Sequence, residues 1–103
     1  MKNFYKKLKN ITLASLKQKK NELWDAEGVL HNQAFKFDLR PLKNNAKGGS
    51  FRTKADKMVF DMKDQFIVVD TEELHQYLKD NNTKVVNLEQ LISSLEWNII
   101  LPK

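Results

Sequence analysis

Residues 57–70 restrict the fold more than any other part of the chain, because two β-favouring runs stand there with room between them only for a reversal. Met58, Phe60 and Met62 alternate with Lys57, Val59 and Asp61, Phe66 to Val69 is the second run, and Lys63-Asp64-Gln65 suits a tight turn. A hairpin is expected, with Met62 at the strand end or in the turn. Asp70 is then a good N-cap with Glu73 at N3. Leu74, Tyr77 and Leu78 make an apolar stripe on a helix ending near Asn81-Asn82.

Beyond it, Val85 and Val86 read as a brief extended segment, or one tucked between helices. Asn87 caps a second helix with Gln90 at N3 and Leu88, Leu91, Ile92 and Leu95 facing inward. Trp97, Ile99 and Leu101 alternate with Asn98 and Ile100 as a final strand before Pro102. Upstream, Phe35, Phe37 and Leu39 alternate with Lys36, Asp38 and Arg40, and Pro41 argues against further extension. Residues 3–24 read as one amphipathic helix, since Phe4, Tyr5, Leu8, Ile11, Leu16 and Leu23 share a broad arc at 100° per residue. Lys19 and Leu13 fall on the wrong sides, and Gly28 serves as the end marker of the helix or of a frayed extra turn through Trp24 and Ala26. These elements predict an α+β fold, a small, largely antiparallel sheet covered on one face by about three helices.

A chain of 103 residues has room for one core, so residues 1–103 are expected to form a single domain, with a flexible basic loop at 42–56 around Asn44-Asn45-Ala46-Lys47-Gly48-Gly49-Ser50. The absence of cysteine excludes disulfides, thiolate metal sites and cysteine nucleophiles, and fits a cytoplasmic location. The apolar stretch Ile11–Leu16 is too short for a secretory signal, and no run approaches the roughly 20 residues that span a bilayer. Stable membrane insertion is not expected. The apolar side of the first helix would suit a membrane surface only if the core did not need it.

Charge is divided unevenly along the chain. Residues 1–24 carry a net +6, residues 25–63 +3 and residues 64–103 −4. Such a gradient sets the sign of the field a partner meets. Lys6, Lys9, Lys17 and Lys20 on the first helix, with Arg40, Lys43, Lys47, Arg52, Lys54 and Lys57, are the candidate phosphate contacts. Arg40 and Arg52 suit bidentate contacts, whereas the predominance of lysine favours backbone attraction over base reading. Phe51 and Trp24 are the candidate stacking residues or partner anchors, and Trp97 is assigned to the core.

Other chemistries find less support. The segments 71–81 and 87–95 resemble a helix-turn-helix only in spacing, since the second helix would present Glu89 and Ser93 and no cation to DNA. Asp61-Met62-Lys63 has the Asp-x-Lys spacing of metal-dependent nucleases and would need Asp56 and Asp70 to converge on it; Asp61 equally fits an outward strand position. His31 and His75 lack a tight ligand spacing for zinc. His31 beside Lys36 and Arg40 lacks an opposing base for RNA cleavage, and Gly48-Gly49-Ser50 lacks the lysine and context of a phosphate loop. The expected function is a non-enzymatic nucleic-acid-associated binding or regulatory protein, DNA or RNA, with no metal or cofactor. The alternative is a regulator, inhibitor or adaptor that recognises an acidic protein surface, and a metal-dependent nuclease comes third.

Overall fold

The computed structural model describes residues 2–41, 46–48 and 51–103. Along the chain these form α1 (Lys2–Tyr5), β1 (Lys9–Leu13), α2 (Leu16–Glu22), β2 (Ala26–Leu30), β3 (Gln33–Pro41), β4 (Ala46–Gly48), β5 (Lys57–Asp61), β6 (Gln65–Asp70), α3 (Thr71–Asp80), β7 (Val85–Asn87), α4 (Leu88–Ser94) and β8 (Asn98–Pro102). Six strands make one sheet in the order β1-β2-β3-β5-β6-β8, and β4 pairs with β7 separately. Within the large sheet only β3 and β5 run parallel. The fold is α+β with a largely antiparallel sheet, as expected.

The hairpin β5–β6 lies inside the sheet, in the register Met58↔Val69, Val59↔Val68 and Phe60↔Ile67. Strand side chains alternate between faces. Met58, Phe60, Ile67 and Val69 therefore bury one face under Leu74 of α3 and Leu88 and Leu91 of α4. Val59, Phe66 and Val68 pack on the other face with Phe37 of β3 and Phe4 of α1. Burial on both sides explains why Phe66–Val69 shows no polar alternation.

Local signals hold in this half. Asp70 accepts from the Glu73 N–H at 3.1 Å to cap α3, and Asn87 accepts from the Glu89 and Gln90 N–H groups to cap α4. The Glu73 carboxylate accepts from the backbone N–H groups of Glu96 (2.8 Å) and Trp97 (2.9 Å), tying the first turn of α3 to the entry of β8. Hydrogen bonds to a charged acceptor are the stronger kind. Glu73→Ala is expected to lower unfolding free energy by about 2 kcal/mol in urea titration, and Glu73→Gln by less, because one oxygen still accepts. An alanine variant as stable as the parent would refute this clasp.

The single helix expected over residues 3–24 is not formed. Phe4 inserts between Phe37 and Phe66, with edge-on ring centroids 5.2 and 5.3 Å away, and the helix stops at Tyr5. Asn10, at φ 54°, turns the backbone, and residues 9–13 pair antiparallel with β2. A new helix starts at Ser15, whose side chain accepts from Gln18 N–H while the Gln18 side chain accepts from Ser15 N–H, a complete capping box. Of the supposed apolar stripe, Ile11, Leu16 and Leu23 are exposed, Leu16 at 87%. Gly28 ends no helix; it sits within β2, where a Cβ would stand 3.0 Å from the Leu8 side chain. A Cβ there would require the Leu8 side chain to give way by a few tenths of an ångström.

Because β3 and β5 run parallel, the chain between Pro41 and Lys57 has to cross from one end of the pair to the other. Residues 42–45 and 49–50, and with them Lys43, lie outside the described residues. The loop expectation fails at Ala46–Gly48, which pairs with β7 in the register Ala46↔Asn87, Lys47↔Val86 and Gly48↔Val85. Phe51 and Ala55 are buried, and Lys54 N–H donates to the Glu22 carbonyl at 2.8 Å. Because β7 stands between α3 and α4, these two helices are not the turn-linked pair that a helix-turn-helix needs. No helix among the described residues is long and apolar enough to cross a membrane.

Candidate functional site

Around the C-terminal end of α3 the chain doubles back. Asn81 caps the helix, Asn82 takes a left-handed φ of 48°, and Thr83 N–H donates to the Leu78 carbonyl at 3.0 Å. This reversal returns Thr83 and Lys84 to the side of Leu78. It also delivers Val85 to Gly48, the end of β4, from which the chain soon reaches Phe51. The result is a groove of about 710 Å³ lined by Phe51, Arg52, His75, Leu78, Lys79, Thr83 and Lys84. Its floor is apolar, with Phe51 5% exposed. Arg52, Lys79 and Lys84 stand around it with no carboxylate in the lining. Cations of one sign on a low-dielectric floor raise the local concentration of anions.

His75 is pinned at the groove wall, its Nε2 2.7 Å from the Phe51 carbonyl. A carbonyl only accepts, so Nε2 carries the proton. The groove is also tied to α2, for Thr53 Oγ1 donates to the Leu23 carbonyl at 3.2 Å, next to the bond from Lys54 to Glu22. Lys17 and Lys20 are exposed on α2, so their helix ends where the Arg52–Lys54 segment is anchored.

Two neighbouring clefts differ in charge. Lys54, Asp56, Lys57, Asp70, Glu72 and His75 are among the residues lining one of about 580 Å³, where carboxylates stand among the cations. Another, about 680 Å³ between α3 and α4, presents Glu73, Asp80 and Glu96 without a cation. Of these three clefts, as lined by the described residues, the groove at Phe51 is the one that combines apolar side chains with cations and no carboxylate.

The candidate residues named from sequence therefore separate. Arg52 and Lys54 are exposed beside one another, and Lys17 and Lys20 sit on the adjoining helix. Lys6 and Lys9 are exposed but follow α1, which packs on the opposite face of the sheet. Lys47 lies in β4 opposite Val86. Lys57 is withdrawn from the surface at 6% exposure, its Nζ 2.8 Å from Asp70 Oδ1 and over the rings of Trp97 (3.7 Å) and Phe35 (4.8 Å). Partial burial pushes the Asp70 carboxyl up, but hydrogen bonds from Lys57 and the backbone, with the Lys57 charge, outweigh it and hold Asp70 below the ordinary carboxylate value.

Arg40 likewise turns inward, with Nε and an Nη each 2.8 Å from the buried carboxylate of Asp38 and an Nη 3.4 Å from the Arg52 carbonyl. Its hydrogen bond to Asp38 raises an already high pKa despite partial burial. Arg40 thus braces the segment that carries Arg52. Trp24, 3% exposed, packs with Ala14 and Ala55 under the Lys36 ammonium, and Phe51 is buried as floor, so neither offers an open stacking face. Lys79 and Lys84 went unnoticed because they lie in the net-negative part of the chain.

The carboxylates invoked for a nuclease do not converge. Asp61 and Asp70 stand at opposite ends of the hairpin, about 13 Å apart along a strand rising about 3.3 Å per residue. Asp61 Oδ1 lies 2.6 Å from Lys103 Nζ, too oblique for a hydrogen bond, and charge attraction holds the pair. Lys63 is exposed in the turn. His31 is exposed in the β2–β3 turn at φ 50°. Among the described residues no group of three or more His, Asp or Glu is arranged to hold a metal ion. Comparison with protein-family models, curated proteins and solved structures finds no match for this chain.

Proposed function

We propose that this chain binds nucleic acid through its phosphates, as a non-enzymatic binding or regulatory protein, and that the groove between Phe51 and Lys84 is the contact. The observation that carries this function is the lining: Arg52 on one segment and Lys79 and Lys84 on the end of α3 and its following turn share a groove with no acid among the described lining residues. Lys54, Lys17 and Lys20, on the segment and helix anchored beside Arg52, lengthen the positive surface available to a strand longer than the groove. Phosphates attract flexible cations without regard to base order, through release of condensed counterions.

Titration of a labelled oligonucleotide by fluorescence anisotropy, across a range of salt, tests this directly. The parent protein is expected to bind at low salt, with affinity falling steeply as salt rises. Arg52→Gln, Lys79→Gln and Lys84→Gln together should reduce the slope of log affinity against log salt by roughly 2–3, since each lost phosphate contact removes about 0.7–0.9. Absence of binding at low salt, or an unchanged slope in the triple variant, would remove the proposal. Recovery from cells of one acidic protein, in amounts untouched by nuclease treatment, would favour a protein partner for the same groove.

A further inference from the structure

The groove's apolar floor serves no purpose for a bare phosphate chain, and that mismatch narrows the ligand. Phe51 and Leu78 form a surface on which an anion gains nothing, while the cations stand around it. A ligand that uses both parts must carry an exposed flat apolar face next to a negative charge. Bases in a duplex are stacked inside, leaving phosphates and groove edges to a protein; bases of a single strand are free to turn outward. The volume of about 710 Å³ falls in the range of small-ligand sites, which admits a splayed base and its phosphate but not the body of a duplex.

The convex elements point the same way. Reading a duplex requires a basic helix or ribbon that enters the major groove. α3 exposes Glu72, Gln76 and Asp80 along with His75 and Lys79, and α4 exposes Glu89 and Gln90 with no cation, so neither helix offers the run of basic residues that enters a major groove. His75 supplies what a single strand can use, an imidazole at the groove wall fixed by its bond to the Phe51 carbonyl. A ring already held in place loses little freedom when a base stacks on it.

We infer that the groove takes single-stranded nucleic acid, with one base lodged against Leu78 and the His75 ring, above the buried Phe51, and the flanking phosphates held by Arg52, Lys79 and Lys84. This rests on the phosphate-binding function proposed above and adds the strandedness and the base contact. The test uses the unmodified protein and four labelled ligands of about 12 nucleotides, within the usual site size for such proteins: oligothymidylate, oligouridylate, an abasic strand of equal phosphate count, and a duplex of oligothymidylate with oligoadenylate.

Either single strand should bind about tenfold more tightly than the abasic strand and the duplex at the same salt. Tight binding of either single strand supports the base contact, since the two differ in both the 2′-hydroxyl and the thymine methyl. His75→Ala should erase most of the advantage over the abasic strand, weakening single-strand binding more than abasic binding. Equal binding of all four ligands would overturn the base contact and leave phosphate binding standing, whereas binding of none would overturn both.

Discussion

Asp70→Ala is expected to destabilise the fold by about 3–5 kcal/mol in urea-induced unfolding, because it strands a buried charge. Lys57 is 6% exposed, and its ammonium has one carboxylate partner, Asp70 Oδ1 at 2.8 Å, with the ring faces of Trp97 and Phe35 covering it. Cation–π contacts contribute about 0.5–2 kcal/mol, too little to replace the ion pair. The same substitution removes the cap of α3, which adds about 1 kcal/mol.

Asp70→Asn keeps a capping oxygen and should cost less. Lys57→Met combined with Asp70→Ala should recover part of the loss, since removing both charges leaves none unpaired. An alanine variant within about 1 kcal/mol of the parent, or a double variant no better than the single, would show the pair to be dispensable. Acid supplies a second readout. The folded state holds Asp70 below its ordinary value of 3.8, so the unfolded chain takes up the proton first as pH falls. The stabilisation is complete above about pH 4 and is lost as pH drops through the lower folded value, and Asp70→Asn should flatten that decline.

Phe4→Ala should cost about 3–5 kcal/mol, the loss typical of a large aromatic cut from a packed core. Phe4 is fully buried against Phe37 and Phe66 and holds α1 on the sheet. Leu16→Ala should change stability by less than about 0.5 kcal/mol, because Leu16 is 87% exposed. A continuous amphipathic helix would make both residues core positions with comparable losses. Thermal or urea unfolding of the two variants therefore separates one long helix from the α1-β1-α2 arrangement, and a large loss at Leu16 would refute the latter.

The second half of the chain was legible because its local and tertiary preferences agree. Asp70 and Asn87 cap helices whatever surrounds them, and the apolar run at 66–69 is a strand both by propensity and by burial on two faces. The first half misled because its decisive contacts lie far along the chain. An arc of apolar residues at 100° spacing arises also from unrelated segments, and residues 9–13 become a strand only when β2 offers an edge. One signal there was readable and overlooked: Ser15-x-x-Gln18 is a capping box, which marks the start of a helix and therefore a break before it.

Charge behaves differently from periodicity in this respect. The positive character of residues 1–63 is a property of composition, and Arg52, Lys54, Lys17 and Lys20 are found at the surface. Which cations share a groove is a matter of three-dimensional placement. Lys57 and Arg40 go inward because Asp70 and Asp38 lie beside them in the sheet, and Lys79 and Lys84 reach Arg52 because the turn after α3 feeds β7 onto β4. Caps, turns and strand alternation act over a few residues and are written in order along the chain. The β3–β5 and β4–β7 pairings, the Lys57–Asp70 ion pair and the cationic rim depend on segments distant along the chain, whose meeting is decided only when burial of the common core brings them together.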